Sequence, residues 1–114
     1  VGNKYLEQGL GFQRPVGRAA LLMIGDDKHA TRLDLIEWKS PPTDGKPYPH
    51  LYHTGINRIA LWTDDLQEIY GKLKATDVKF ISEPQLIKNS NGTTSSFVCF
   101  YDPDGTVIEL IQFK

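Results

Sequence analysis

Two segments of eight residues follow the same pattern, and this internal repeat constrains the fold more than any other feature of the chain. Residues 31–38 read Thr-Arg-Leu-Asp-Leu-Ile-Glu-Trp, and residues 106–113 read Thr-Val-Ile-Glu-Leu-Ile-Gln-Phe. Both follow the pattern Thr-x-apolar-acid-Leu-Ile-polar-aromatic, and both are interpreted as strands. Asp34 and Glu109 are equivalent positions, 75 residues apart. The repeat therefore predicts two similar units that each end in such a strand.

The second unit is predicted to consist of a strand, a helix and three further strands. In chain order its segments are residues 56–63, 66–75, 78–82, 96–101 and 107–113. Asp65 and Glu68 have the spacing of a capping box at the start of the helix. The sequence Asp102-Pro103-Asp104-Gly105 predicts a tight turn between the last two strands.

The first unit repeats this order but begins inside its helix. Lys4–Gly9 is predicted to end a helix, a short strand is expected at Phe12, and residues 18–24 and 31–38 form a hairpin. The counterpart of the opening strand would precede Val1, so we expect it to be truncated or disordered, or else supplied by another subunit. Residues 1–114 are predicted to form one domain, with units at 1–39 and 55–114 and a linker at 40–54.

Composition excludes several classes of partner. The net charge of -1 and the absence of basic runs argue against nucleic acid or an acidic membrane as the main partner. The apolar stretches are too short to span a bilayer, and no signal peptide is visible. The single cysteine, Cys99, cannot form an intramolecular disulfide and lies in an apolar run, so we expect a cytoplasmic protein with a buried, inert thiol.

Two motifs resemble those of a known superfamily. They are Gly55-Ile-Asn-Arg-Ile-Ala-Leu-Trp-Thr-Asp-Asp-Leu66 and Phe100-Tyr-Asp-Pro-Asp-Gly-Thr-Val-Ile-Glu-Leu110. Together with the paired units, they resemble the vicinal-oxygen-chelate superfamily of glyoxalases, extradiol dioxygenases and bleomycin-binding proteins. The resemblance implies an α+β fold of two β-α-β-β-β units, eight strands in all. Each unit would curl its mixed sheet into half of a cup that holds the ligand.

Alternation along the strands predicts which side chains face that cup. The opposite, helix-facing side is expected to receive a set of aliphatic residues: Leu33, Leu35, Ile59, Leu61, Ile108 and Leu110. The cup side is expected to receive Asp34, Arg58 and Glu109, walled by Ile36, Trp38, Trp62, Ile111 and Phe113. Aromatic walls around a few convergent polar groups are typical of a small-molecule site.

Arg58 decides how that site is interpreted. In metal-dependent relatives, the resemblance implies metal ligands at four strand positions. Glu109 and Asp34 match two of them, the opening-strand position is absent, and Arg58 stands where a histidine is usual. A guanidinium stays protonated and offers no lone pair to a cation. We therefore expect no metal cofactor, and we expect Arg58 to pair with Glu109, and also with Asp34, in its place. If a metal did bind, Glu109 and Asp34 would be its ligands.

Three functional interpretations follow. The first is a metal-free small-molecule binding protein that uses Arg58, Glu109, Asp34 and the aromatic side chains. The second is a metal-dependent lyase, dioxygenase or thiol transferase, and the third is a non-catalytic interaction module. His53 is a minority candidate for a catalytic base at the rim of the cup. A homodimer is expected, because symmetric pairs are the commonest assembly.

Overall fold

The computed structural model describes residues 4–114, which divide into two compact units, one ending at Gly45 and one running from Lys46 to Lys114. The first unit contains α1 (Lys4–Leu10), β1 (Val16–Met23) and β2 (Arg32–Ser40). The second contains β3 (Arg58–Trp62), α2 (Leu66–Lys74), β4 (Gln85–Lys88), β5 (Thr94–Tyr101) and β6 (Val107–Phe113). Within the described range, neither helix is long and apolar enough to cross a membrane.

The second unit is a four-stranded mixed sheet with a helix packed on one face. The strand order is β3-β6-β5-β4; β3 runs parallel to β6, and the other pairs are antiparallel. Leu66 from α2 packs with Val98 and Leu110 from the sheet, and all three are buried. Fully burying such a side chain contributes about 1.5–3 kcal/mol, so this small cluster holds the helix on the sheet. The predicted helix-facing role of Leu61 and Leu110 is confirmed.

The start of α2 shows half of the predicted capping box. The carboxylate of Asp65 accepts a hydrogen bond from the backbone N–H of Glu68 at 3.1 Å. The reciprocal bond is missing, because Glu68 pairs instead with Lys72 one turn later and the N–H of Asp65 donates to Thr63. Because the carboxylate of Glu68 is exposed and pairs with Lys72, the cap of α2 keeps only the hydrogen bond to Asp65.

The third strand of this unit differs from its prediction. Between residues 78 and 82 only Phe80 forms a bridge, to Phe100, and the regular strand is β4 at Gln85–Lys88. This edge strand pairs with the first half of β5, while the segment around Phe80 pairs with the second half. Pro84 has no backbone N–H to donate. It can therefore lie directly before an edge strand such as β4, where it removes no hydrogen bond between strands.

The first unit also departs from its prediction in two places. Phe12 lies in a bend rather than a strand, and its ring packs edge-on against Trp38 with centroids 5.3 Å apart. Leu35, predicted to pack under a helix, is 50% exposed, and α1 contains no buried residue. The hairpin itself is confirmed, since β1 and β2 pair antiparallel along their whole length. Six strands are therefore found between residues 4 and 114.

The predicted α+β class is confirmed, and so is the strand-helix-strand-strand-strand order of the second unit. The Asp102–Gly105 turn is also as predicted. The carboxylate of Asp102 accepts from the N–H groups of Asp104 and Thr106, and Gly105 adopts a φ of 102°. The assignment of all residues to one domain with a linker at 40–54 stays a prediction.

Candidate functional site

The face of the second-unit sheet that turns away from α2 carries the residues predicted for the site. Cα pairing places Ala60 beside Glu109 and Trp62 beside Ile111, and partners in a sheet share a face. We call this surface the site face. It comprises Arg58, Ala60, Trp62, Gln85, Ile87, Ser95, Phe97, Cys99, Tyr101, Val107, Glu109, Ile111 and Phe113.

Arg58 and Glu109 form an ion pair on this face. Nε of Arg58 lies 3.6 Å from Oε1 of Glu109, and 46% of the arginine side chain is exposed against 12% of the glutamate. A nearly buried carboxylate needs a cation or hydrogen-bond donors, because leaving it unpaired costs free energy. The half-exposed guanidinium supplies that charge while keeping much of its own surface in solvent. The predicted pairing with Glu109 is thus present.

Cys99 on β5 pairs with Glu109 on β6. It therefore flanks Glu109 on one side, while β3, the strand that carries Arg58, flanks it on the other. Its Sγ is 4.0 Å from Oε2 of Glu109, and the residue is buried. Burial raises the pKa of the Cys99 thiol, the Glu109 carboxylate raises it further, and Arg58 partly offsets both. At neutral pH the thiol is therefore protonated, which agrees with the prediction of a buried, inert cysteine.

The donor set at this position does not fit a metal. Arg58 has no lone pair to give, Glu109 is already paired with it, and the protonated thiol of Cys99 is a poor ligand. No cluster of three or more histidine, cysteine, aspartate or glutamate side chains suited to a metal occurs among residues 4–114. The chemistry available to these residues is charge pairing and hydrogen bonding.

The other predicted site residues are distributed over both units. Trp62 and Phe113 lie on the site face, and each is 62% exposed, so they offer aromatic surface to a ligand. Asp34 and Trp38 lie on β2 in the first unit, where Trp38 packs against Phe12 and Asp34 is exposed. In the described chain, Asp34 takes part in no ion pair. Ligand binding by all of these residues stays a prediction.

The loop before β3 is more ordered than its composition indicates. His53 stacks on Tyr48 with ring centroids 4.2 Å apart, and His50 stacks on Tyr52 at 4.7 Å. Nδ1 of His53 lies 2.6 Å from the carbonyl oxygen of Thr54. Because a carbonyl can only accept, Nδ1 carries the proton, and Nε2 is the nitrogen left to act as a base or acceptor.

Gly55 is a structural requirement of this loop that sequence reasoning missed. Its φ is 106°, and a Cβ placed there would lie 2.7 Å from the hydroxyl oxygen of Tyr48. Only glycine fits both the backbone conformation and the close approach of the tyrosine. The available signal was a glycine shortly before a strand, downstream of Tyr48 and Tyr52.

A cavity of about 690 Å³ opens elsewhere in the second unit. Its lining comes from the segment after α2 and from the turn between β5 and β6, namely residues 76–79 and 101–105. Of the site face only Tyr101 contributes, and neither Arg58 nor Glu109 does. The volume falls in the range of small-molecule sites, but the cavity does not contain the ion pair.

The second unit is thus an α+β arrangement, in which α2 covers one face of a mixed sheet and the ion pair lies on the other. A family model described as the Glyoxalase/Bleomycin resistance protein/Dioxygenase superfamily matches residues 4–110. The chain belongs to this superfamily, and the resemblance seen in its motifs is confirmed.

Several solved structures have a similar fold. A glyoxalase family protein from Bacillus cereus superposes with a TM-score of 0.79 at 15% identity, covering 99% of this chain and 72% of that one. A virulence protein from Salmonella typhimurium gives a TM-score of 0.54 at 18% identity, covering 97% and 84%. At these identities the similarity concerns the fold alone. Among curated proteins, none matches this chain significantly.

Proposed function

We propose that this protein binds a small molecule on the site face without a metal, and that the ion pair of Arg58 and Glu109 takes the place of one. The observation that carries the proposal is the 3.6 Å contact between Arg58 Nε and Glu109 Oε1 on a face with exposed aromatic residues. Asp34 and Trp38, on β2 of the first unit, are also proposed as ligand-binding residues.

Electrostatics support a metal-free site. A divalent cation bound to Glu109 would lie within a few ångströms of a guanidinium that stays charged at every accessible pH. Two positive charges about 4 Å apart repel by roughly 4 kcal/mol per unit charge near a protein surface. A metal would therefore have to displace Arg58 before it could use the carboxylate of Glu109.

Calorimetric titration of the protein with zinc, nickel, manganese and ferrous ions tests the metal-free part of the proposal. We expect no stoichiometric heat at micromolar affinity. Glu109→Gln is the matched control, because it removes the one carboxylate of the site face and keeps the shape of the side chain. Micromolar binding that is lost in this variant would favour the metal-dependent lyase, dioxygenase or transferase interpretation instead.

A thermal-shift screen with a fragment library tests the binding part. A ligand at 100 times its Kd stabilises the native state by about 2.7 kcal/mol, which is readily measured as a raised unfolding temperature. We expect hits whose stabilisation is lost in Arg58→Met. A screen without any such hit would favour the non-catalytic interaction module, in which the exposed surfaces of Trp62 and Phe113 contact another protein.

Three further properties belong to the proposal. A homodimer is supported by the apolar side chains that β1 exposes, including Leu21 at 56% and Leu22 at 50%. A cytoplasmic location is supported by the one unpaired cysteine. His53 is proposed as a base for any catalytic activity, because its Nε2 carries a lone pair when Nδ1 donates to Thr54.

A further inference from the structure

We infer that the ligand class of the site face is the flat aromatic carboxylate, bound with its carboxylate on Arg58 and its ring over Ala60 beside Trp62. This inference rests on the proposed function, because it assumes that the site face binds a small molecule. Three features of the second unit support it: the free edge of the guanidinium, the space above Ala60, and the charge of the ion pair.

The free edge of Arg58 matches a carboxylate. Nε lies 3.6 Å from Oε1 of Glu109, and within the described chain the terminal nitrogens donate no hydrogen bond. Those two nitrogens present parallel N–H groups in one plane, the geometry that binds both oxygens of a carboxylate at once. The contact with Glu109 also restrains the guanidinium, so less side-chain entropy is lost when an anion binds.

The space above Ala60 matches a flat ring. Along β3 the residues on the site face are Arg58, Ala60 and Trp62, a large, a small and a large side chain. The Cα atoms of the two large residues are about 13 Å apart, at 3.3 Å per residue along a strand. Ala60 is exposed, so this notch is open, and Trp62 at its end is 62% exposed. An aryl ring joined to a carboxylate spans the notch and can pack against the indole.

The charge of the pair favours an anion over a cation. A cationic ligand would have to reach Glu109, whose side chain is only 12% exposed and is already paired. An anionic ligand meets the exposed part of Arg58, which is the cation of the pair. Charge-assisted hydrogen bonds of this kind are about twice as strong as neutral ones.

The test is calorimetric titration of the whole chain with 2-naphthoate, with 2-naphthamide as the neutral probe of equal shape and cyclohexanecarboxylate as the anion without a flat ring. We expect naphthoate to bind at least ~10-fold more tightly than either. Two variants locate the site. Arg58→Lys keeps the charge but loses the paired N–H groups, and Ala60→Phe fills the notch while leaving the ion pair intact. Each should weaken naphthoate binding at least ~10-fold.

A spectroscopic readout places the ring. The chain has 2 tryptophans, so its NMR spectrum shows two indole N–H resonances, which Trp62→Phe assigns. We expect naphthoate to shift the resonance of Trp62. Circular dichroism of each variant shows whether it folds, and the naphthamide comparison needs only the unaltered protein, so a misfolded variant does not remove the test.

The outcomes separate this inference from the proposed function. Equal affinity for naphthoate and naphthamide, or naphthoate binding that neither variant weakens, overturns the carboxylate inference. No naphthoate binding alongside Arg58-dependent fragment hits of other chemistry also overturns it, and the proposed function then stands. A screen with no Arg58-dependent hit at all overturns both.

Discussion

Removal of the charge on Arg58 is the perturbation whose magnitude follows most directly from the structure. Arg58→Met keeps an unbranched stem on the sheet but leaves Glu109, 12% exposed, without its cation. At the observed 3.6 Å the two charges attract by about 1 kcal/mol in water and by about 5 kcal/mol at the effective dielectric of a protein surface. Because the side chain of Arg58 is 46% exposed, solvent screens the pair, and the attraction energy lies toward the lower of these two values.

We therefore expect Arg58→Met to lower the free energy of unfolding by about 1–2 kcal/mol. A double-mutant cycle with Glu109→Gln isolates the pair, and its coupling energy should be about 1 kcal/mol. Urea denaturation of the four proteins at low ionic strength gives the measurement. In 1 M salt the Debye length falls to about 3 Å, so the coupling should shrink.

A coupling energy of about 0.3 kcal/mol or less would contradict this reasoning, because it lies within the error of additivity for independent sites. It would mean that solvent, and not Arg58, satisfies the carboxylate of Glu109. A large cost for Arg58→Met without coupling would instead assign the loss to packing of the arginine stem.

Four other expected outcomes concern the core, the loop before β3 and the thiol. Leu66→Ala removes a side chain that is 1% exposed, and chemical denaturation should show a loss of about 2–4 kcal/mol; a loss below about 1 kcal/mol would contradict the packing of α2 on the sheet. Gly55→Ala forces a Cβ to 2.7 Å from the Tyr48 hydroxyl at a φ of 106°, so thermal unfolding should show a destabilisation of at least ~1 kcal/mol. The raised pKa of Cys99 means that the folded protein keeps a proton that the unfolded chain releases, so stability should fall as pH rises above the ordinary value of 9.0, and unchanged stability from pH 8 to 10.5 would contradict it. Glu109→Gln removes one cause of that raised pKa and should speed alkylation of the thiol.

Local chemistry made much of the second unit predictable. The α2 helix needed only its apolar spacing and the Asp65 cap, and the turn before β6 needed only the preferences of Pro103 and Gly105. These signals act over a few residues, so no knowledge of the rest of the chain is required. The alternation that placed Leu110 on the helix side and Glu109 on the site face is local in the same sense.

The sequence by itself determined the repeat, the superfamily and the boundaries of β6. It also showed that Arg58 stands where the superfamily usually has a histidine. Only the tertiary structure decided that β4 pairs with β5 at Gln85–Lys88, that Phe12 packs on Trp38 instead of forming a strand, and that the thiol of Cys99 lies beside the carboxylate of Glu109. The reason is physical. Edge pairing, ring packing and ion-pair geometry depend on residues that are distant in the chain, and their free energies exceed the weak local preferences of short polar segments.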